Sequence, residues 1–189
     1  MTKKVINQKG KFDEELINTI EPNFVFKDRP INRFNINEKS NDEDQIDKAE
    51  RLEKLKKLIN TIDNCNLKDN SQNLVLGDGN INSLIMLIGE APGIEEDKSG
   101  TTFKGEIGQL LDKMLLAIKI KKQNIYCTYA INFRPPEDRK PTSQEIKRYS
   151  VFLKEHISII NPKIIILMGS SAMEAVTGIN TKISSERGK

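Results

Sequence analysis

Two short stretches of the 189-residue sequence carry residue types able to do chemistry. The first, Gly89-Glu90-Ala91-Pro92-Gly93-Ile94-Glu95-Glu96-Asp97, leads into Gly100-Thr101-Thr102-Phe103-Lys104-Gly105. A glycine-rich turn after an apolar run invites a nucleotide-binding reading, but the spacing argues against it. The G-x-G-x-x-G pattern and the Gly-Lys-Ser/Thr ending of a phosphate loop are both absent, and Pro92 removes a backbone donor from the turn. By type alone, Glu95, Glu96 and Asp97 read as a solvated acidic turn, and Phe103 as a core lid or a stacking face. The second stretch runs from Arg134 to Lys140. It is either a solvated proline-rich turn or a basic loop that touches phosphates, contacts that position a protein without reading sequence.

Both stretches need a frame. Leu84-Ile85-Met86-Leu87-Ile88, Asn124 to Ile131 and Lys163-Ile164-Ile165-Ile166-Leu167-Met168 read as strands, the first and last as buried ones. Leu74-Val75-Leu76 meets a turn signal at Gly77-Asp78-Gly79-Asn80. Ile46, Ala49, Leu52, Leu55, Ile59 and Ile62 recur at three- and four-residue steps, as do Ile107, Leu110, Leu111, Met114, Leu115 and Ile118, which predicts two amphipathic helices. Thr142-Ser143-Gln144-Glu145 is a capping box whose helix stops at Asn161-Pro162, and a short helix follows Gly169-Ser170-Ser171 as far as Gly178. Strands alternating with helices predict an α/β fold, a three-layer sandwich with a mostly parallel sheet between helices. Ligands then bind beyond the carboxyl ends of the strands, here Glu90–Gly105, Asn132–Pro141 and Gly169–Ser171. Residues 1–43, rich in Asn, Lys, Asp and Glu with a short helical pattern at Phe12–Ile17, read as a loosely packed or poorly ordered extension, and 44–189 as the folded domain.

Composition sets wide bounds. The chain is 37% apolar and 30% charged with a net charge of +3, too small to demand a polyanion partner. No apolar run approaches the roughly 18 residues of a membrane span. Cys65 and Cys127 make no disulfide framework, and Met1-Thr2-Lys3-Lys4 starts no secretory signal, so a cytoplasmic protein is expected.

The order of motifs is more specific. Gly89-Glu90-Ala91-Pro92-Gly93 with Glu96-Asp97, then Phe103 and Gly105, then Gly108-Gln109-Leu110-Leu111, then Arg134-Pro135-Pro136, Arg139 and Pro141-Thr142, resembles the signature of family-4 uracil-DNA glycosylases. Asn161 to Gly169, Arg187-Gly188 and the lead-in at Cys65-Asn66-Leu67-Lys68 and Gly77-Asp78-Gly79-Asn80 fall in the same order. The resemblance implies a base-flipping glycosidase of base excision repair acting on uracil in single- or double-stranded DNA. It implies catalytic roles for Glu90 and Glu96, with Glu90 and Glu96 placing water and steadying the sugar cation. Gly89, Ala91, Pro92, Gly93, Phe103 and Tyr129 would bind the base. Lys104, Arg134, Arg139, Lys140, Ser170, Ser171 and Arg187 would meet DNA.

Four departures qualify what is carried over. Tyr129 stands where the family has an asparagine that reads the uracil edge, and a hydroxyl cannot present an amide's paired donor and acceptor. The family often holds a four-iron four-sulfur cluster through four cysteines. Only Cys65 matches; Ile62, Phe133 and Tyr149 stand at the other places, so no cluster and no metal or other cofactor is expected. Glu137-Asp138 replaces Gly-Asn and should weaken phosphate contacts. The family continues into a further strand and a His-Pro-Ser-type motif, so the sheet is expected to lack its last strand. The expected state is a monomer, with association through the open edge as the alternative. The sole histidine, His156, is expected to be structural and partly exposed. The alternative to an enzyme is an inactive remnant that keeps DNA-binding or protein-interaction capacity.

Overall fold

The computed structural model describes residues 41–62, 66–186 and 188. The helical pattern at Phe12–Ile17 and the extension it belongs to lie outside the described residues, save for 41–43. Helix α1 spans Asn41–Asn60 and α2 Asn66–Asp69. The strands are β1 Asp78–Gly79, β2 Ile85–Gly89, β3 Tyr126–Tyr129 and β4 Ile164–Leu167. Between them lie α3 Ile94–Ser99, α4 Gly105–Ala117 and α5 Ser143–Ile160, and β4 is followed by α6 Ser170–Thr177 and α7 Ile183–Glu186.

The sheet order is β1-β3-β2-β4, with β2 parallel to β3 and to β4 and only β1 antiparallel. Side chains alternate across the sheet. Met86 and Ile88 join Leu52, Leu55, Ile59, Ile146, Tyr149 and Leu153 under α1 and α5, whereas Leu87 joins Leu111, Leu115, Cys127 and Tyr129 under α4. Helices thus cover both faces, the expected mostly parallel α/β architecture. The capping box forms as read: Thr142 Oγ1 accepts from Glu145 N–H, and the Glu145 carboxylate accepts from Thr142 N–H. Asn161 ends α5 in a left-handed conformation, φ 53°.

Four expectations are corrected. The turn at Gly77–Asn80 contains β1, because the chain runs along the outer side of β3 with Asp78 opposite Cys127 and Asn80 N–H bonded to Ile125 O. β4 is not buried on both faces. Ile164 and Ile166, in register with Ile85 and Leu87, project to the α4 side but stay 54% and 38% exposed, because among the described residues nothing covers β4 there. The apolar face of α4 is likewise only partly used: Leu111 and Leu115 are buried, while Ile107, Leu110, Met114 and Ile118 are exposed. His156 is 2% exposed rather than partly exposed, because its Nε2 shares a hydrogen bond with Tyr126 Oη at 2.9 Å beneath the sheet. Burial alone holds its pKa down to about 4.

Candidate active site

The parallel strands end on a pocket of about 550 Å³, lined by Gly89 to Glu96 on the loop and helix after β2, by Phe103 to Ile107, and by Tyr129, Pro135, Asp138, Arg139 and Met168. Two of the three loops expected to carry the site, Glu90–Gly105 and Asn132–Pro141, line it, while Gly169–Ser171 lines none of it and reaches it only through Ser171. Gly89 makes the meeting possible: a Cβ on it would approach the Tyr129 ring at 2.8 Å and Phe103 Cζ at 2.9 Å. The two rings pack beside it with centroids 4.9 Å apart, tilted by 37°.

Glu90 lines this pocket, and its Oε2 accepts a 2.6 Å hydrogen bond from Ser171 Oγ in the first turn of α6. Ser171 is therefore a buried partner of a carboxylate. Glu96 is held differently. Its Oε2 accepts from Gly93 N–H at 3.0 Å and its Oε1 from Lys104 N–H at 2.8 Å, so both oxygens bind backbone and the side chain is buried. Asp97 is buried too, accepting from the amides of Gln72 and Asn73. The solvated acidic turn suggested by residue type holds for Glu95 and fails for its two neighbours, whose charges meet unpaired backbone donors instead of water.

Phe103 sits at the pocket wall but is 4% exposed, its ring shared with the core under α4. Its φ of 49° lies in the left-handed region, costly for a side-chain-bearing residue. Its N–H donates to Tyr129 Oη at 2.9 Å. Desolvation raises the Tyr129 pKa well above the ordinary phenol range, so Tyr129 stays a neutral hydroxyl. Burial, reinforced by Asp78, pushes the neighbouring Cys127 thiol up to about 12, which keeps it protonated and a poor nucleophile.

The basic loop carries its own counter-charges. Arg134 Nε and a terminal nitrogen bind Asp138 at 2.7 and 2.9 Å, and Arg139 binds Glu145 at 2.7 and 2.9 Å. The Arg139 hydrogen bonds, with help from Thr142, hold the Glu145 pKa down to about 2. Lys104 and Lys140 are exposed, Ser170 Oγ accepts from Ile183 N–H, and Arg187 lies outside the described residues. The places where an iron–sulfur cluster would find thiolates are apolar: Phe133 and Tyr149 pack edge-to-face at 6.3 Å, and Ile62 packs against the same core. That donor set does not fit a cluster. Cys65 itself lies outside the described residues.

Sequence reasoning missed several residues here. Met168 and Pro135 line the pocket; Asp78 and Lys122 bind the Phe103 segment from outside it. Asp78 sat in a turn signal, and Lys122 in the unremarkable run Lys121-Lys122-Gln123. Neither type nor spacing marks such a lysine.

An α/β sheet whose parallel strands end on a pocket with a serine-held carboxylate and an aromatic wall has the architecture in which ligands generally bind beyond the strand ends. The uracil DNA glycosylase superfamily model matches residues 76–188. The sequence is 38% identical over 125 residues to the type-4 uracil-DNA glycosylase of Thermotoga maritima, 66% of this chain and 65% of that protein. It is 34% identical over 125 residues to the type-4 enzyme of Pyrobaculum aerophilum, 66% of this chain and 64% of that protein. With that of Archaeoglobus fulgidus it shares 33% over 144 residues, 74% and 72% of the two chains. The chain thus spans a little under two thirds of the length of the first two relatives. The chain belongs to the uracil DNA glycosylase superfamily. Among the described residues no helix is long and apolar enough to cross a membrane.

Proposed function

We propose that this chain is a uracil-DNA glycosylase of base excision repair, hydrolysing the N-glycosidic bond of uracil in single- or double-stranded DNA. The observation that carries the reading is that Glu90, fixed by Ser171, lines the same pocket as Phe103. A nucleotide swung out of the stack, at a cost of a few kcal/mol, would lay its base against Phe103, with the amides around Ala91 near a uracil carbonyl. The bond from C1′ to the base breaks with its electron pair leaving on uracil. Water adds to C1′, its proton passes to Glu90, and solvent protonates the departing base. The charge of Glu90 also offsets the positive charge that develops on the sugar. Gly89, Pro92 and Gly93 shape the pocket floor and Tyr129 bounds it. Glu96, with both oxygens engaged by backbone, serves by holding the two loops together.

On the DNA side, Lys104, Lys140, Ser170 and Arg187 would meet phosphates directly. Arg134 and Arg139 would do so with the guanidinium donors that Asp138 and Glu145 leave unused.

The test is incubation of the protein, in excess, with single-stranded and duplex oligonucleotides carrying one uracil, followed by alkali cleavage at abasic sites. Excision that Glu90→Ala reduces at least 100-fold supports the reading. Excision that survives Glu90→Ala refutes the site. Salt-sensitive DNA binding without excision would identify a binding protein in place of an enzyme.

A further inference from the structure

The segment bearing Phe103 is held by side chains from four separate parts of the chain. Asp78, on β1, accepts from both Thr102 N–H and Thr102 Oγ1 at 2.7 Å. Tyr129, at the end of β3, accepts from Phe103 N–H. Glu96, on α3, accepts from Lys104 N–H. Lys122, in the 3₁₀ turn Lys122–Asn124, donates to the carbonyls of both Thr102 and Phe103 at 2.9 Å, its ammonium 6.0 Å from the Phe103 ring centroid. Three consecutive amides and two carbonyls are therefore bound by side chains, which is rare for a loop, where water normally takes that part.

The left-handed φ of Phe103 explains the need. A segment that places a bulky residue in this region relaxes unless its surroundings over-determine it. Relaxation would rotate the ring off the pocket wall, and Tyr129 and Lys122 bind the two sides of that residue's backbone. Among the described residues Lys122 forms no ion pair in doing so. Its charge strengthens two hydrogen bonds to carbonyls that lie just before helix α4, which starts at Gly105.

We propose that Lys122 and Tyr129 are positioning residues that hold Phe103 in its base-stacking orientation, Lys122 through the Thr102 and Phe103 carbonyls and Tyr129 through the Phe103 amide. The inference deepens the glycosylase reading and rests on it for the base; the holding of the loop does not depend on it. Tyr129 on this account reads no base edge with the hydrogen bond it accepts, since that bond is spent on the loop.

The test pairs a structural and a functional readout on Lys122→Met, Lys122→Arg and Tyr129→Phe. Amide hydrogen exchange at Phe103 and Lys104 should quicken at least tenfold in Lys122→Met and Tyr129→Phe, with the core strands unchanged. Lys122→Arg, which keeps a charged double donor, should restore most of the protection. Single-turnover excision of uracil should fall about tenfold in the rate at saturation, with DNA affinity unchanged, as expected when a contact group is misplaced. A duplex carrying 2′-fluoro-deoxyuridine beside 2-aminopurine should show a weaker flipping signal in both variants. Unchanged exchange in both overturns the clamp, whatever the activity. Faster exchange with an unchanged excision rate overturns the positioning role. Faster exchange in a protein whose wild type excises nothing upholds the clamp and sinks the glycosylase reading instead. If Lys122→Met does not fold, Tyr129→Phe, which keeps the buried ring, carries the test.

Discussion

Two loop-and-strand regions of this domain treat apolar side chains in opposite ways. Around Phe103 every backbone group from Thr102 to the Lys104 amide is bound, and the ring is buried against Tyr129 in the core cluster that includes Leu87 and Leu111. Along β4 the same face of the sheet carries Ile164 and Ile166 into solvent, and β4 stands last in the sheet order. Because Ile164 N–H bonds Leu84 O and Met168 N–H bonds Ile88 O, the alternation of a parallel strand turns the Ile165 and Leu167 amides to the edge that no other strand among the described residues pairs. The contrast shows where order is needed. A pocket wall works only in one geometry, so it is fixed by hydrogen bonds from several elements, while an edge strand needs only one partner to stay in place.

The largest expected effect comes from breaking the fixed region at its backbone. A side chain at Gly108 would fall on the Phe103 carbonyl, which cannot move without releasing Lys122. Gly108→Val should cost about 4 kcal/mol, read as a lowered urea midpoint with unchanged m. A loss under about 1 kcal/mol would mean that α4 and the Phe103 segment are less tightly joined than the structure indicates.

A pH lever acts on the whole fold and separates the two regions by how they open. His156 has its pKa lowered from 6.5 to about 4 by burial. The unfolded chain therefore binds a proton between pH 6.5 and 4 that the folded chain refuses. Stability is complete above 6.5 and falls by on the order of 3 kcal/mol as pH drops to 4. His156→Gln should flatten this slope relative to wild type. Protection factors at Phe103 and Lys104 should follow the falling global stability, whereas exchange at Ile165 and Leu167 should not, because amides without a ladder hydrogen bond need no global opening to exchange.

Asp97→Ala tests the anchor behind the pocket. It removes the partner of two part-buried amides, at Gln72 and Asn73, and should cost about 1 kcal/mol. Thermal unfolding reads this directly, and a loss no greater than that of Glu95→Ala, on the exposed side of the same turn, would contradict it.

The difference between the regions also marks what the sequence disclosed. The buried β2, the capping box at Thr142 and the strand-end location of the pocket rest on local, one-dimensional patterns, and these were readable. The carboxylate at Glu90 and the ring at Phe103 were legible through motif order. Lys122, Asp78 and the double engagement of Glu96 were not, because they join positions up to 24 residues apart through backbone atoms, which leave no trace in residue type. The exposure of Ile164 and Ile166 was misread for a related reason. An apolar run says that a strand can be buried, and only the sheet order says whether a neighbour exists to bury it.

The smallest expected effect falls at that bare strand. Ile166→Lys places a charge on a face that is already partly wet, so it should change stability by less than about 0.5 kcal/mol. If open β4 edges pair between molecules, the same substitution should reduce the concentration-dependent rise in sedimentation coefficient, since a lysine on an edge strand opposes strand-to-strand association. A destabilisation above about 1.5 kcal/mol at low protein concentration would mean that Ile166 is covered in solution. The contrast between a fixed pocket wall and a bare edge would then narrow to the backbone hydrogen bonds alone.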